Sequence, residues 1–297
     1  MLIDFVNNYL MNGIVLGCIY ALGAIGITLL FGILRFSHFA HGDMMTLGAY
    51  LGLAGVWITG QPVWVVLPLA MAATAGVAVG IDRAFYHPLR NAPTIVAVIA
   101  SFGVALMIRS AIQVYFGVEI RSYSRGFERP IFLFDEIRIL PRHIWIIAIT
   151  VVLVVVLQLF LKFSRLGKAM RAVSDNPALA RVTGIDTRGV VIATWIIGGA
   201  LAGAGGIFLG LDTQLDTNLG WNLVLPMFAA AVLGGIGQPI GAVLGGLVVG
   251  IAEELAVYPW FGGQALLSPA YKSAVSFAIL IVMLIVRPTG ILKGRVF

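Results

Sequence analysis

Apolar runs of 14 to 24 residues recur along almost the whole chain, separated by short polar breaks. A hydrocarbon layer of roughly 30 Å is crossed by about 20 apolar helical residues, and only helices or closed barrels satisfy their backbone polar groups there. The runs Met11–Leu34, Val63–Ile81, Thr94–Phe116, Ile144–Leu161, Val190–Leu209, Ala242–Val257 and Ser273–Val286 read as spans. Thr46–Trp57 and Leu223–Ile236 are short. The expectation is an all-α polytopic membrane protein, a single transmembrane domain over residues 1–297, with about eight to ten spans. Each short run follows a Gly-rich span and a polar break, which suggests broken or re-entrant helices and an internal repeat with the pathway at its interface. The mean hydropathy of +1.01 and a charged fraction of only 11% exclude an ordinary soluble domain.

The charge that is present is concentrated. From Lys162 to Arg188 there are six basic residues (Lys162, Arg165, Lys168, Arg171, Arg181, Arg188) against Asp175 and Asp186, in a chain whose net charge is +6. Lys and Arg gather in cytoplasmic loops, so residues 163–189 are expected inside the cell, as is the C-terminus with Arg287, Lys293 and Arg295. Within this loop Asp175 or Asn176 can cap a short helix that starts at Pro177, runs to Val182 and stops at Gly184. Such a helix is marginal alone and needs a surface. The loop is either a solvated topology signal or a docking element for a cytoplasmic partner. The second long polar connection, residues 117–142, is expected outside; its basic and acidic residues nearly balance.

Several chemistries are missing. No G-x-x-x-x-G-K-[ST] occurs; Gly167-Lys168-Ala169 lacks the upstream glycine spacing and the hydroxyl. There is no HExxH and no nucleophile elbow. His38 and His41 with Asp43 lack an evident third convergent ligand, so no metal site is expected. The lone Cys18 excludes an intrachain disulfide. No basic patch interleaved with aromatics points to nucleic acid. The first span, without a basic n-region or a small-residue cleavage site, is expected to insert as it stands. No ionisable relay sits near mid-membrane in the sequence, which disfavours a proton-coupled carrier; Arg109 is placed near enough to its span end to snorkel.

Tyr20-Ala-Leu-Gly, then FSHFAHGDMMTLGAY, RLGKAMRAVSDNPALARVTGID, AAAVLGGIGQPIGAVLGGLVVGIAE and VRPTGIL follow one another from the first span to the last. In this order they resemble permease subunits of branched-chain amino-acid ABC importers, the high-affinity leucine-type family. One stretch departs: the family typically has Asn-Phe-Ala-His-Gly where this chain has His38-Phe39-Ala40-His41-Gly42. The resemblance implies a bacterial inner-membrane, multi-pass permease that pairs with a homologous permease. Two cytoplasmic ATPase subunits would bind ATP and Mg, leaving this chain without a cofactor or an enzymatic role. A periplasmic or lipid-anchored binding protein would deliver the substrate. By similarity, the segment holding Arg171, Asp175, Asn176, Pro177, Ala180, Arg181, Gly184 and Asp186 would be the helix that couples to the ATPase. Tyr20, Thr28, Ser37, His38, His41, Gly42 and Asp43 at the first break, and Gly234, Gly235 and Gly237 at a second, are the expected pathway residues. Arg121, Arg125 and Arg129 would meet acidic residues on the binding protein, or else balance their own loop's acids. The alternatives are a urea or short-amide ABC permease and, from another class, an ion-coupled secondary carrier or channel acting alone.

Overall fold

A computed structural model describes residues 5–123, 129–133, 137–260, 267–292 and 294. Helix boundaries follow local chemistry. A π-helical turn, Val6–Leu10, leads into α1 (Met11–Leu34), which ends where Arg35 turns left-handed at φ 58°. After the break come α2 (His41–Thr59), closed by Gly60 at φ 65°, and α3 (Val63–Ile81), opened by Pro62 and prolonged by a π-helical turn Asp82–Tyr86. Pro93 opens α4 (Thr94–Phe116). A hairpin of β1 (Ile131–Leu133) and β2 (Ile137–Ile139), with Ile131 opposite Ile139, precedes α5 (Pro141–Phe163). The basic segment forms α6 (Arg165–Asp175) and α7 (Pro177–Val182). The second half has α8 (Thr187–Asp212), α9 (Val224–Gly234), α10 (Pro239–Ala256) and α11 (Ser273–Val286).

Seven helical segments among the described residues are long and apolar enough to cross a membrane; α2 and the short α9 complete the set of nine apolar segments. Burial sorts them. The α1 and α8 spans are 83% and 78% buried inside the protein, whereas α5 is 22% and α11 6% buried. The outer helices therefore present apolar side chains at the surface of the bundle, and the two Gly-rich spans form the centre.

Packing is reciprocal between the halves. Helix α3 lies on α8 as α10 lies on α1; α2 lies on α8 as α9 lies on α1; α4 flanks α2 as α11 flanks α9. This is the exchange a repeat of α1–α4 and α8–α11 produces. Two glycine stripes on α10 permit it. Gly246 and Gly250 meet the α1 backbone around Gly17, and Gly241 and Gly245 meet α9 at Gly234 and Ala230. Close backbone approach through small residues is how helices associate in lipid.

Candidate functional site

The break after α1 does not stay at the end of the bundle. His41 nests against Gly26, where a Cβ would strike its imidazole ring. Gly26 lies eight residues before Leu34, so at about 1.5 Å per residue the break climbs back roughly 12 Å into the bundle before α2 starts. His41, Gly42 and Asp43 form the first turn of α2, not a loop.

From the opposite end, the connection after α8 enters in the same manner. Thr217 is bonded to Gln113 of α4 at 3.3 Å, and one α4 turn deeper the Arg109 guanidinium lies 4.9 Å above the Trp221 ring. The two breaks then meet. Gly42 and Gly220 touch backbone to backbone, so that a Cβ on either would run into the other. Thr46 fastens the joint, accepting from the Gly220 N–H at 2.9 Å and donating to the Gly42 carbonyl at 3.3 Å. A backbone outside regular structure is tolerated at this depth because protein surrounds it.

Arg109 does not snorkel. Its Nε donates to Asp43 Oδ1 at 2.9 Å and a second nitrogen to Oδ2 at 3.2 Å, with Asp43 fully buried. A counter-charge inside the bundle holds the guanidinium more firmly than the membrane interface would. Beside this pair, polar atoms cluster in an aromatic cage. His38 lies edge-on to Trp195 at 5.0 Å and to Tyr86 at 5.3 Å, those two rings stack at 5.2 Å, and His38 and His41 are 6.0 Å apart. Both nitrogens of each histidine, the Tyr86 hydroxyl and the Trp195 Nε1 are buried without hydrogen-bond partners among the described residues, as is the hydroxyl of Thr28, which lines a separate cavity. Each orphaned buried group costs about 1–3 kcal/mol, so a group of them calls for a physical reason. Arg35, exposed at the end of α1, is the one non-glycine with positive φ among the described residues.

Other expected residues lie elsewhere. Tyr20 reaches α10, donating its hydroxyl to the buried Glu253 Oε2 at 2.6 Å. Ser37 is half-buried within the break. Gly234, Gly235 and Gly237 are at the far end of α9, where Gly235 packs on Gly290 and Gly294 and where Ile291 donates to the Leu233 carbonyl at 2.8 Å. Gly237 shares a cavity of about 490 Å³ with Thr28 and Gly32 of α1 and with Arg171 and Asp175 of α6. One chamber thus joins residues expected along the pathway to the basic segment.

That segment is locally well determined. Ser164 caps α6, accepting from Gly167 N at 2.8 Å, and α6 buries Gly167, Met170 and Val173 on one face. Asn176 rather than Asp175 caps α7, accepting from Ala178 N at 3.1 Å and Leu179 N at 3.0 Å, with Pro177 at the first helical position. Ala180 is the buried residue of α7, while Leu179 is 60% and Val182 86% exposed beside the exposed Arg181. Gly184 turns at φ 83°, and Asp186 caps α8 through Arg188 N at 3.0 Å.

At the hairpin end, Arg121 pairs with Glu119 at 3.2 Å, lies over Trp57 at 5.7 Å and forms a backbone bridge to Leu215. Arg129 is exposed, and Arg125 falls outside the described residues. Among the described residues no three His, Cys, Asp or Glu side chains converge as a metal site. Sequence reasoning missed Tyr86, Trp195, Trp221, Thr46 and Gly220. The one available signal for the joint was Arg109, the single charge within its span.

Residues 9–284 match the family described as branched-chain amino acid transport system / permease component. The high-affinity branched-chain amino acid transport system permease protein LivH of Escherichia coli K12 is 33% identical, over 96% of this chain and 94% of that protein. BraD of Pseudomonas aeruginosa, a permease protein of the same description, is 32% identical over 96% and 95%. The solved structure of PsaBC from Streptococcus pneumoniae in complex with Fab superposes with a TM-score of 0.52 at 13% identity, covering 97% of this chain and 95% of that one, and shares the fold. With spans, re-entrant joint and matched length taken together, the chain belongs to the family of branched-chain amino acid transport system permease components.

Proposed function

We propose that this permease subunit forms the path by which branched-chain or related hydrophobic amino acids enter the cell, driven by ATP hydrolysis on separate subunits. The observation that carries the reading is the joint at Gly42 and Gly220, flanked by buried polar groups without partners, in a chain of this family. A zwitterion needs polar groups on its way through the bilayer, and freed backbone groups and helix ends at breaks supply them. Thr28, Ser37, His38, His41, Gly42 and Asp43 would line the middle of that path, with Tyr20 beside it and Gly234, Gly235 and Gly237 toward its inner end.

Residues 163–189 are the lever. The exposed Leu179, Val182 and Arg181 of α7, together with Arg171, Asp175, Asn176, Pro177, Ala180, Gly184 and Asp186, form a surface suited to a groove on a cytoplasmic ATPase that binds ATP and Mg. Because α6 walls the 490 Å³ cavity, displacing α6 and α7 would reshape the inner end of the path. A ligand shifts such an equilibrium only by its differential affinity for the two states, and here that belongs to the ATPase pair. In this reading the C-terminus and residues 163–189 are in the cytoplasm of a bacterial inner membrane. Residues 117–142 face a binding protein through Arg121, Arg125 and Arg129, and a homologous permease completes the pair.

The test is uptake by the reconstituted complex, with leucine, isoleucine, valine, alanine and urea as substrates. ATP-dependent accumulation of the branched-chain amino acids is expected, and Leu179→Glu should abolish it without lowering the melting temperature. Accumulation that persists with the ATPase inactivated would refute the reading; preferential uptake of urea would replace its substrate.

A further inference from the structure

At the end of the bundle away from α6 and α7, six elements converge on a polar basin of about 400 Å³. Its volume falls in the range of small-molecule sites, roughly 300–1,000 Å³. The turn before α1, and α1 itself, supply the amides of Asn7, Asn8 and Asn12; the hairpin supplies Arg138; the first turn of α5 supplies Arg142 and His143; the end of α8 supplies Asp212; and α10 supplies Glu254, whose carboxylate is already paired with Lys272. The hairpin is fastened here by its Arg138 N–H, which donates to Asn7 Oδ1 at 3.1 Å.

Both signs of charge are present, and both have capacity. The Arg142 Nε is buried without a hydrogen-bond partner among the described residues. A guanidinium presents a planar fork that matches a carboxylate or phosphate. Asp212 Oδ1 lies 3.2 Å from His143 Nε2. A carboxylate accepts about four hydrogen bonds, so this pairing leaves room for an ammonium. The apolar lining is confined to Pro130 and Leu140. The basin can therefore grip a charged head and has little with which to judge a side chain.

We propose that this basin is a binding site for a compact zwitterion, an ammonium and an oxyanion a few bonds apart, with Arg142 receiving the anion and Asp212 the ammonium. A free α-amino acid and the headgroup of an ethanolamine phospholipid share that chemistry. The proposal draws on the amino-acid permease reading only for the choice of leucine as probe.

The full chain, with the subunits that copurify with it, is placed in nanodiscs of phosphatidylglycerol, which carries no ammonium, and binding is read by saturation-transfer NMR. L-leucine and L-alanine should bind alike. 4-Methylpentanoate and isoamylamine, each lacking one charge, should bind at least roughly tenfold more weakly. Arg142→Gln and Asp212→Asn should each weaken leucine binding by a similar factor, and Arg142→Lys should retain most of it. Adding phosphatidylethanolamine assigns the source: displacement of leucine makes the lipid headgroup the resident, and no displacement makes it the free amino acid. The proposal is overturned if leucine does not bind, if either single-charge analogue binds as well, or if both neutralising variants keep wild-type affinity. Should either neutralising variant fail to fold, Asn12→Leu, which alters the basin lining without removing a charge, takes its place and should likewise weaken leucine binding, because leucine in the translocation path would answer to the same analogues. Leucine uptake by the same preparation reports separately on transport. Uptake with leucine binding that does not depend on Arg142 and Asp212 removes the basin and leaves the permease reading, and binding that depends on both residues without uptake does the reverse.

Discussion

Replacing Arg109 by Gln tests whether the Asp43–Arg109 pair holds the joint together. In the native protein Asp43 is 0% exposed and the Arg109 side chain 16%, and the two make hydrogen bonds of 2.9 and 3.2 Å. Removing one partner of such a pair leaves an uncompensated buried charge and costs about 3–5 kcal/mol. The stacking of Arg109 on Trp221 adds about 1–2 kcal/mol in a desolvated setting. Arg109→Gln should therefore destabilise by several kcal/mol, and Asp43→Asn, which strands the guanidinium instead, by a comparable amount. The double variant should fall short of the sum by roughly 1–3 kcal/mol, because neither buried charge then remains. The assay is a double-mutant cycle on reversible unfolding in mixed micelles, with Arg129→Gln as an exposed control. Additive losses, or an Arg109→Gln loss no larger than the control's, would show that the pair is not the fastening.

Gly220→Ala should abolish folded yield, since its Cβ would run into the Gly42 backbone, whereas Gly76→Ala, with open space around it in α3, should be neutral or stabilise by about 0.5–1 kcal/mol; fluorescence size-exclusion yield and melting temperature check both. Asn176→Ala removes two capping hydrogen bonds from α7 and should cost about 1 kcal/mol locally, lowering the uptake obtained per ATP hydrolysed while the global melting temperature holds. Tyr20→Phe removes the donor to the buried Glu253 and should destabilise by about 1.5–3 kcal/mol, read by thermal unfolding.

Much of the architecture is legible in the residues because its causes are local. Apolar length specifies a span, and Thr94–Phe116 and Ser273–Val286 have the same bounds in sequence and structure. Asn176, Pro177 and Gly184 spell the start and stop of α7 within ten residues, and the glycine spacing on α10 announces its packing stripes. The match of Gly42 to Gly220, the pairing of Asp43 with Arg109 and the cage of His38, Tyr86 and Trp195 were settled only by tertiary structure. Their partners are separated by dozens to well over a hundred residues, and no periodicity within one helix encodes which face of another it will meet. Nor could composition reveal that both breaks turn inward: backbone outside a helix survives at that depth only when folded protein, not lipid, satisfies or shields it.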